Sequence, residues 1–209
     1  MRSREALYRR VQAFRETFGV GKGPVDVFTL CELIPGLELR QAAWKTRGLN
    51  GVFMRGEYTD LIVLNAARNR KEQTFDLSHE LMHWWLHRDL DSNGRDALRE
   101  WQANEGAAEL LVPWRELTWR VYECRAALSS AENLHRFTIA QAERCGVTEA
   151  VIRYRYESLS AELALAKAGI MPAHLSHPAD GRWAASLNAL EAEQTGDRML
   201  CAVSRRKII

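Results

Sequence analysis

The stretch FDLSHELMHWWLHRD, residues 75–89, constrains this chain more than any other. It sets His79, Glu80, His83 and His87 within about two helical turns, among Leu77, Leu81 and two tryptophans. Polar groups embedded in an apolar run are costly to bury unless something binds them. On a helix, side chains at i and i+4 stand one above the other. The HExxH pattern from His79 to His83 therefore points two imidazoles the same way, towards two corners of a metal tetrahedron. Glu80 then lies on the flank, within reach of a water but not a ligand itself. His87, a further turn on, sits too far along a straight helix to join the same tetrahedral ion.

Such a site needs a third protein ligand. In REWQANEGAAELLVP, residues 99–113, a 100° turn per residue puts Glu100 on one stripe with Ala103, Ala107, Leu110 and Leu111. Gln102, Glu105 and Glu109 fall on the other side and are expected in solvent. A single carboxylate on an apolar face calls for a cation, so Glu100 is the predicted third ligand. Asn104, one turn later, is placed to hydrogen-bond the second ring nitrogen of a ligand histidine. A donor for a tetrahedral oxyanion is also required, and Tyr58 and His87 are the candidates.

Around this centre the chain reads as α+β and mostly helical. Leu7, Val11, Phe14 and Phe18 predict an amphipathic helix over 3–18, and DVFTLCELI a short second one. GLNGVFMRGEYTDLIVLNA has strand texture with RGEYTD as a turn, predicting a small antiparallel sheet. The strand at 61–65 is expected to be an edge to which a substrate segment pairs. A helix from 74 to 86 follows, with Thr74 or Asp76 as cap, then the loop DSNGRD. The next helix covers 97–112, capped by Asp96 and ended by Pro113. The expected division is a metallopeptidase-like domain over 1–113, a helical region over 114–165 and a C-terminal extension over 166–209.

In the second half, Ala142, Gly146 and Ile152 have the spacing of a helix-turn-helix, with Thr148 as cap and Arg153 and Arg155 exposed. Its base-facing positions would be Thr148, Glu149 and Ala150, a poor set for reading DNA, which favours a structural or partner-docking use. His174 and His177 read as surface residues, and Trp101, Trp114 and Trp119 as core. A further helix is expected over 183–193.

Composition excludes little else. A net charge of +2 is too small to imply nucleic acid, and the basic tail SRRKII reads as solvated. Four cysteines without a CxxC pair suit free thiols in a reducing compartment. No signal-peptide core and no apolar run of bilayer length are apparent, so a cytoplasmic location without membrane contact is expected.

TFDLSHELMHWWLH followed by EWQANEGAAELLVP resembles the ImmA/IrrE family of zinc metallopeptidases, whose pattern is HELGH and then E-x-E-A-N-x-F-A-x-E-L-L-x-P. The upstream LIVLN is similar too, and the likeness spans roughly 45–160. Three positions depart from the pattern: Met82 replaces glycine, Gln102 the second acidic residue and Gly106 phenylalanine. The resemblance implies a zincin-like, thermolysin-like core of the gluzincin type. In it His79, His83 and Glu100 hold Zn2+ (Mn2+ being an alternative in the cell), and Glu80 is catalytic. It further implies an anti-repressor endopeptidase whose substrate is a helix-turn-helix transcriptional repressor of a mobile element or stress locus. The rival expectation is a DNA- or protein-binding regulator with a non-catalytic zinc.

Overall fold

The computed structural model describes residues 3–46, 49–88 and 96–175. The DSNGRD loop up to residue 95, His177, the helix expected at 183–193 and the basic tail lie outside the described residues. Helix α1 (Arg4–Thr17) and the short α2 (Val27–Leu33) lead into strands β1 (Leu37–Ala42), β2 (Gly51–Met54) and β3 (Asp60–Asn65). Then come α3 (Arg70–His87), α4 (Ala97–Leu111), α5 (Trp114–Cys124), α6 (Ala131–Cys145), α7 (Glu149–Ser158) and α8 (Ser160–Lys167).

The architecture is α+β and mostly helical, as expected, but the sheet is mixed. β2 and β3 form the predicted antiparallel hairpin, from Gly51 opposite Leu64 to Met54 opposite Leu61. β1 adds in parallel on the other side of β3, from Leu37 opposite Asp60 to Ala42 opposite Asn65. The order β1-β3-β2 makes β3 the central strand, so the expectation of a substrate-pairing edge at 61–65 is wrong. Among the described residues the outer strands of the sheet are β1 and β2. Ile62 and Leu64 are fully buried, as befits a strand flanked on both sides.

Helix α3 starts earlier than the sequence suggested. Asn69, not Thr74 or Asp76, is the cap: its side chain accepts from Glu72 N–H, and Glu72 accepts in return from Asn69 N–H. Thr74 and Asp76 are instead buried inside the first turns, with Asp76 accepting from Arg68 Nε at 2.6 Å. α3 and α4 pack side by side. Leu77, Leu81 and Met82 of α3 meet the stripe Ala103, Ala107 and Leu110 of α4, all with no exposed surface. Small residues on α4 permit this closeness. At Gly106 an added Cβ would lie 3.1 Å from both Cγ and Sδ of Met82, so the thioether occupies the space a side chain there would need. Two of the three departures from the family pattern therefore touch each other.

Behind α4 lies a buried ion network that the helical wheel did not anticipate. Glu105 and Glu109, expected in solvent, are buried, and so is Arg155, expected to be exposed. Arg155 reaches Glu105 Oε1 at 2.9 Å, Glu109 Oε2 at 2.6 Å and the Val112 carbonyl at 3.1 Å. Tyr8 and Tyr154 also donate their hydroxyls to Glu105. Burial works against the Glu105 charge, but Arg155 and Arg4 outweigh it and hold the carboxyl below its ordinary range. α1, α4 and α7 are thus tied together through one guanidinium.

The chain from Trp114 to Lys167 is helical, in α5 to α8. Gly146 ends α6 in the left-handed region at φ 64°, and Ala142 and Ile152 are buried at the crossing with α7. Thr148 occupies the cap position of α7 without a side-chain cap bond, and Arg153 is exposed but paired with Glu149 at 2.6 Å. Trp114 is core and Trp101 half-buried, whereas Trp119 is 41% exposed, contrary to expectation, with Nε1 donating to Glu123. His174 is exposed, as read. One hydrophobic core runs through the described residues, from Leu7 to Leu175.

Candidate metal centre

α3 and α4 bring His79, His83 and Glu100 together. Each offers one ligand atom, and the three atoms lie within 4.8 Å of one another. His79 Nε2 and His83 Nε2 are 3.0 Å apart, and the Glu100 oxygens stand 3.6 Å from each. A zinc tetrahedron with bonds of about 2.0–2.1 Å has edges of about 3.3 Å, so the spacing suits a small divalent ion. All three groups are half-buried, open enough to leave a fourth position to water or substrate.

The chemistry of the donors fits as well as their spacing. Burial drives the pKa of His79 down to about 4 and that of His83 well below the ordinary imidazole range, with the neighbouring His79 adding to the latter. Both rings are therefore neutral at pH 7, the form that ligates metal. Asn104 Oδ1 lies 3.0 Å from His79 Nδ1, as the sequence suggested. A carbonyl oxygen only accepts, so it places the proton of His79 on Nδ1 and leaves the Nε2 lone pair facing His83 and Glu100. A carboxylate and an imidazole lone pair converging at this range favour a cation between them.

Glu80 is buried beside the group, on the sheet side of α3. Its pKa is pushed up to about 8, by burial first and by the charge of Glu100 second, while the backbone N–H of Phe53 hydrogen-bonds the carboxylate and works the other way. A carboxyl tuned near neutrality is suited to taking up and handing on a proton. Two residues of β2 that sequence reasoning missed hold it there. Phe53 supplies the N–H. A Cβ at Gly51 would lie 2.9 Å from Glu80 Cγ and 3.2 Å from Oε1, so the glycine makes room for the carboxylate. The repeated glycines of GLNGVF were the available signal, and no spacing rule linked them to a residue 29 positions away.

The remaining candidates fall elsewhere. Tyr58 is 88% exposed in the turn between β2 and β3, outside this group. His87 is buried against the back of the site: its Nδ1 lies 3.1 Å from His83 Nδ1 and its Nε2 lies 2.8 Å from Gln102 Oε1. Gln102, expected in solvent, is 5% exposed. His87 is thus turned towards the outer nitrogen of His83, away from the ligand atoms.

The model of the IrrE N-terminal-like domain, Peptidase_M78, matches residues 38–157, more than half of the chain. The chain belongs to this family. The match covers the sheet from Glu38 onward, both site helices and the chain through most of α7. No curated protein matches the chain. As an M78-family protein it is of metallopeptidase type, with a protein substrate and a three-residue group able to bind metal. Among the described residues no helix is long and apolar enough to cross a membrane.

Proposed function

We propose that this M78-family protein is a zinc-dependent endopeptidase of restricted specificity that acts in the cytoplasm. Its proposed substrate is a helix-turn-helix transcriptional repressor, whose cleavage induces gene expression. The observation that carries the enzymatic reading is the position of Glu80. Its carboxylate is held by the edge of β2 on the same helix turn as two neutral imidazoles that converge on Glu100. His79, His83 and Glu100 would hold the ion, with Mn2+ as a substitute. When bound, the metal supplies a Lewis acid that polarises the scissile carbonyl and acidifies water. Glu80 takes a proton from the attacking water and delivers it to the leaving amine. Asn104 keeps His79 in the ligating tautomer.

The rival reading, a DNA-binding regulator with a structural zinc, draws less support from the molecule. In α7, Arg155 is committed to the buried ion network and Arg153 to Glu149, so neither is disposed towards a phosphate backbone. The decisive experiment incubates the zinc-loaded protein with the repressor encoded beside it and compares Glu80→Gln. Glu80→Gln is expected to retain one zinc per chain and to lose cleavage by at least about a hundredfold. Cleavage unchanged in Glu80→Gln would remove the hydrolytic role. Salt-dependent DNA affinity in its place would establish the rival.

A further inference from the structure

Two imidazoles meet at the back of the site with their Nδ1 atoms 3.1 Å apart, and such a contact holds one proton. Which ring owns it decides whether His83 can ligate. Gln102 Oε1 lies 2.8 Å from His87 Nε2 and, being a carbonyl oxygen, requires a proton on that nitrogen. With the His87 proton on Nε2, its Nδ1 is the bare nitrogen of the 3.1 Å contact and accepts from His83 Nδ1–H. His83 Nε2 is consequently a lone pair, aimed at the same point as His79 Nε2 and the Glu100 oxygens.

The reverse arrangement is equally consistent as a hydrogen-bond chain and chemically opposite. If the Gln102 amide presented its NH2 to His87, the proton would move to His87 Nδ1 and the His83 proton to Nε2. His83 would then donate to His79 Nε2 across 3.0 Å, and an ordinary N–H···N bond would close the pocket to a cation. The direction of the chain is therefore set two residues behind the ligand.

We infer that His87 and Gln102 are positioning residues that lock the His83 proton on Nδ1, so that the Nε2 lone pair is ready before metal arrives. His79 has the same service from Asn104 in one step, and His83 has it in two. This rests on the metallopeptidase reading, since it assigns a role towards the same ion.

The test reads tautomers in metal-free full-length protein by long-range 1H–15N correlation of the histidine rings, and zinc affinity by competition with a chromophoric chelator. The wild type is expected to show His83 with its proton on Nδ1. His87→Leu removes the acceptor, and it should move that proton largely to Nε2 and weaken zinc by about 10- to 100-fold. His87→Asn keeps an acceptor oxygen near the place of Nδ1, and it should stay within about threefold of wild type. Gln102→Glu, which can only accept, should preserve both tautomer and affinity, whereas Gln102→Leu should not. A His83 proton on Nε2 in the wild type overturns the inference. So does a His87→Asn variant that is folded yet as weak as His87→Leu. If zinc binds with unaltered affinity in His87→Leu while Glu80→Gln abolishes cleavage, the relay alone is wrong. If the wild type takes up no zinc although His83 shows the expected tautomer, it is the metallopeptidase reading that fails.

Discussion

The contact between Met82 and Gly106 yields a quantitative expectation, because it joins two positions at which the chain departs from the family pattern. Met82 has no exposed surface, and its Cγ and Sδ lie where a Cβ on Gly106 would press within 3.1 Å. Met82→Gly removes a fully buried side chain. Truncation of a core methionine to alanine costs about 2–5 kcal/mol. Glycine in mid-helix adds about 1 kcal/mol more. Gly106→Phe alone forces a ring into occupied space, an overpacking of about 1–3 kcal/mol that the better helix propensity offsets only in part. In the double variant the ring enters the volume that the thioether vacated. Its loss should fall well short of the sum, giving a favourable coupling of about 3 kcal/mol, at the upper end for residues in contact.

Urea unfolding of the four proteins in excess chelator measures this without interference from metal binding, which would add its own stabilisation. Equal m values across the set license the comparison. If the double variant loses the sum of the single losses to within about 0.5 kcal/mol, the two positions do not share one space and the packing account is wrong. A large coupling accompanied by unchanged zinc affinity would show further that the α3–α4 spacing tolerates the exchange at the level of the ligands.

Three other perturbations test different parts of the molecule. Gly51→Ala should displace the Glu80 carboxylate from the edge of β2, lowering kcat by about tenfold or more with zinc content and KM little changed; equal loss of bound zinc would mean that the strand supports the ligands and not the carboxylate. Arg155→Met leaves Glu105 and Glu109 buried without their guanidinium and should cost about 3–5 kcal/mol in urea unfolding, largely recovered when both glutamates are also made glutamine; a loss below about 1 kcal/mol would contradict the network. Burial lifts Asp76 to about 6 despite the Arg68 partner. A carboxyl raised on folding contributes stability below its unfolded pKa that is lost as pH rises through the folded one, so Asp76→Asn should gain on wild type by up to about 3 kcal/mol between pH 4 and pH 7. A gap that stays flat over that range would refute the burial effect.

The group of His79, His83 and Glu100 was legible in the sequence because i, i+4 spacing on α3 and a lone carboxylate among alanines on α4 are local signals, each complete within one helix. What it hid depended on partners far along the chain. β1 carries no strand signal, since only Leu37 of its six residues is buried, which leaves no alternation to read. Once β1 pairs in parallel, the strand taken for an edge becomes the middle of the sheet. α4 departs furthest from its helical wheel. A helical wheel sorts residues into one buried face and one wet face, and that holds for a helix with a neighbour on one side only. α4 is packed by α3 in front and tied by Arg155 to α1 and α7 behind, so its second face is interior as well. Glu105 and Glu109 look solvated on the wheel because their counter-ion lies on α7, 46 residues beyond Glu109. Gln102 looks solvated because its partner, His87, belongs to a helix whose register against α4 no periodicity specifies. The polar residues that the wheel misplaced are therefore the ones the fold uses. Two brace the helix that carries Glu100, and one directs a proton behind His83.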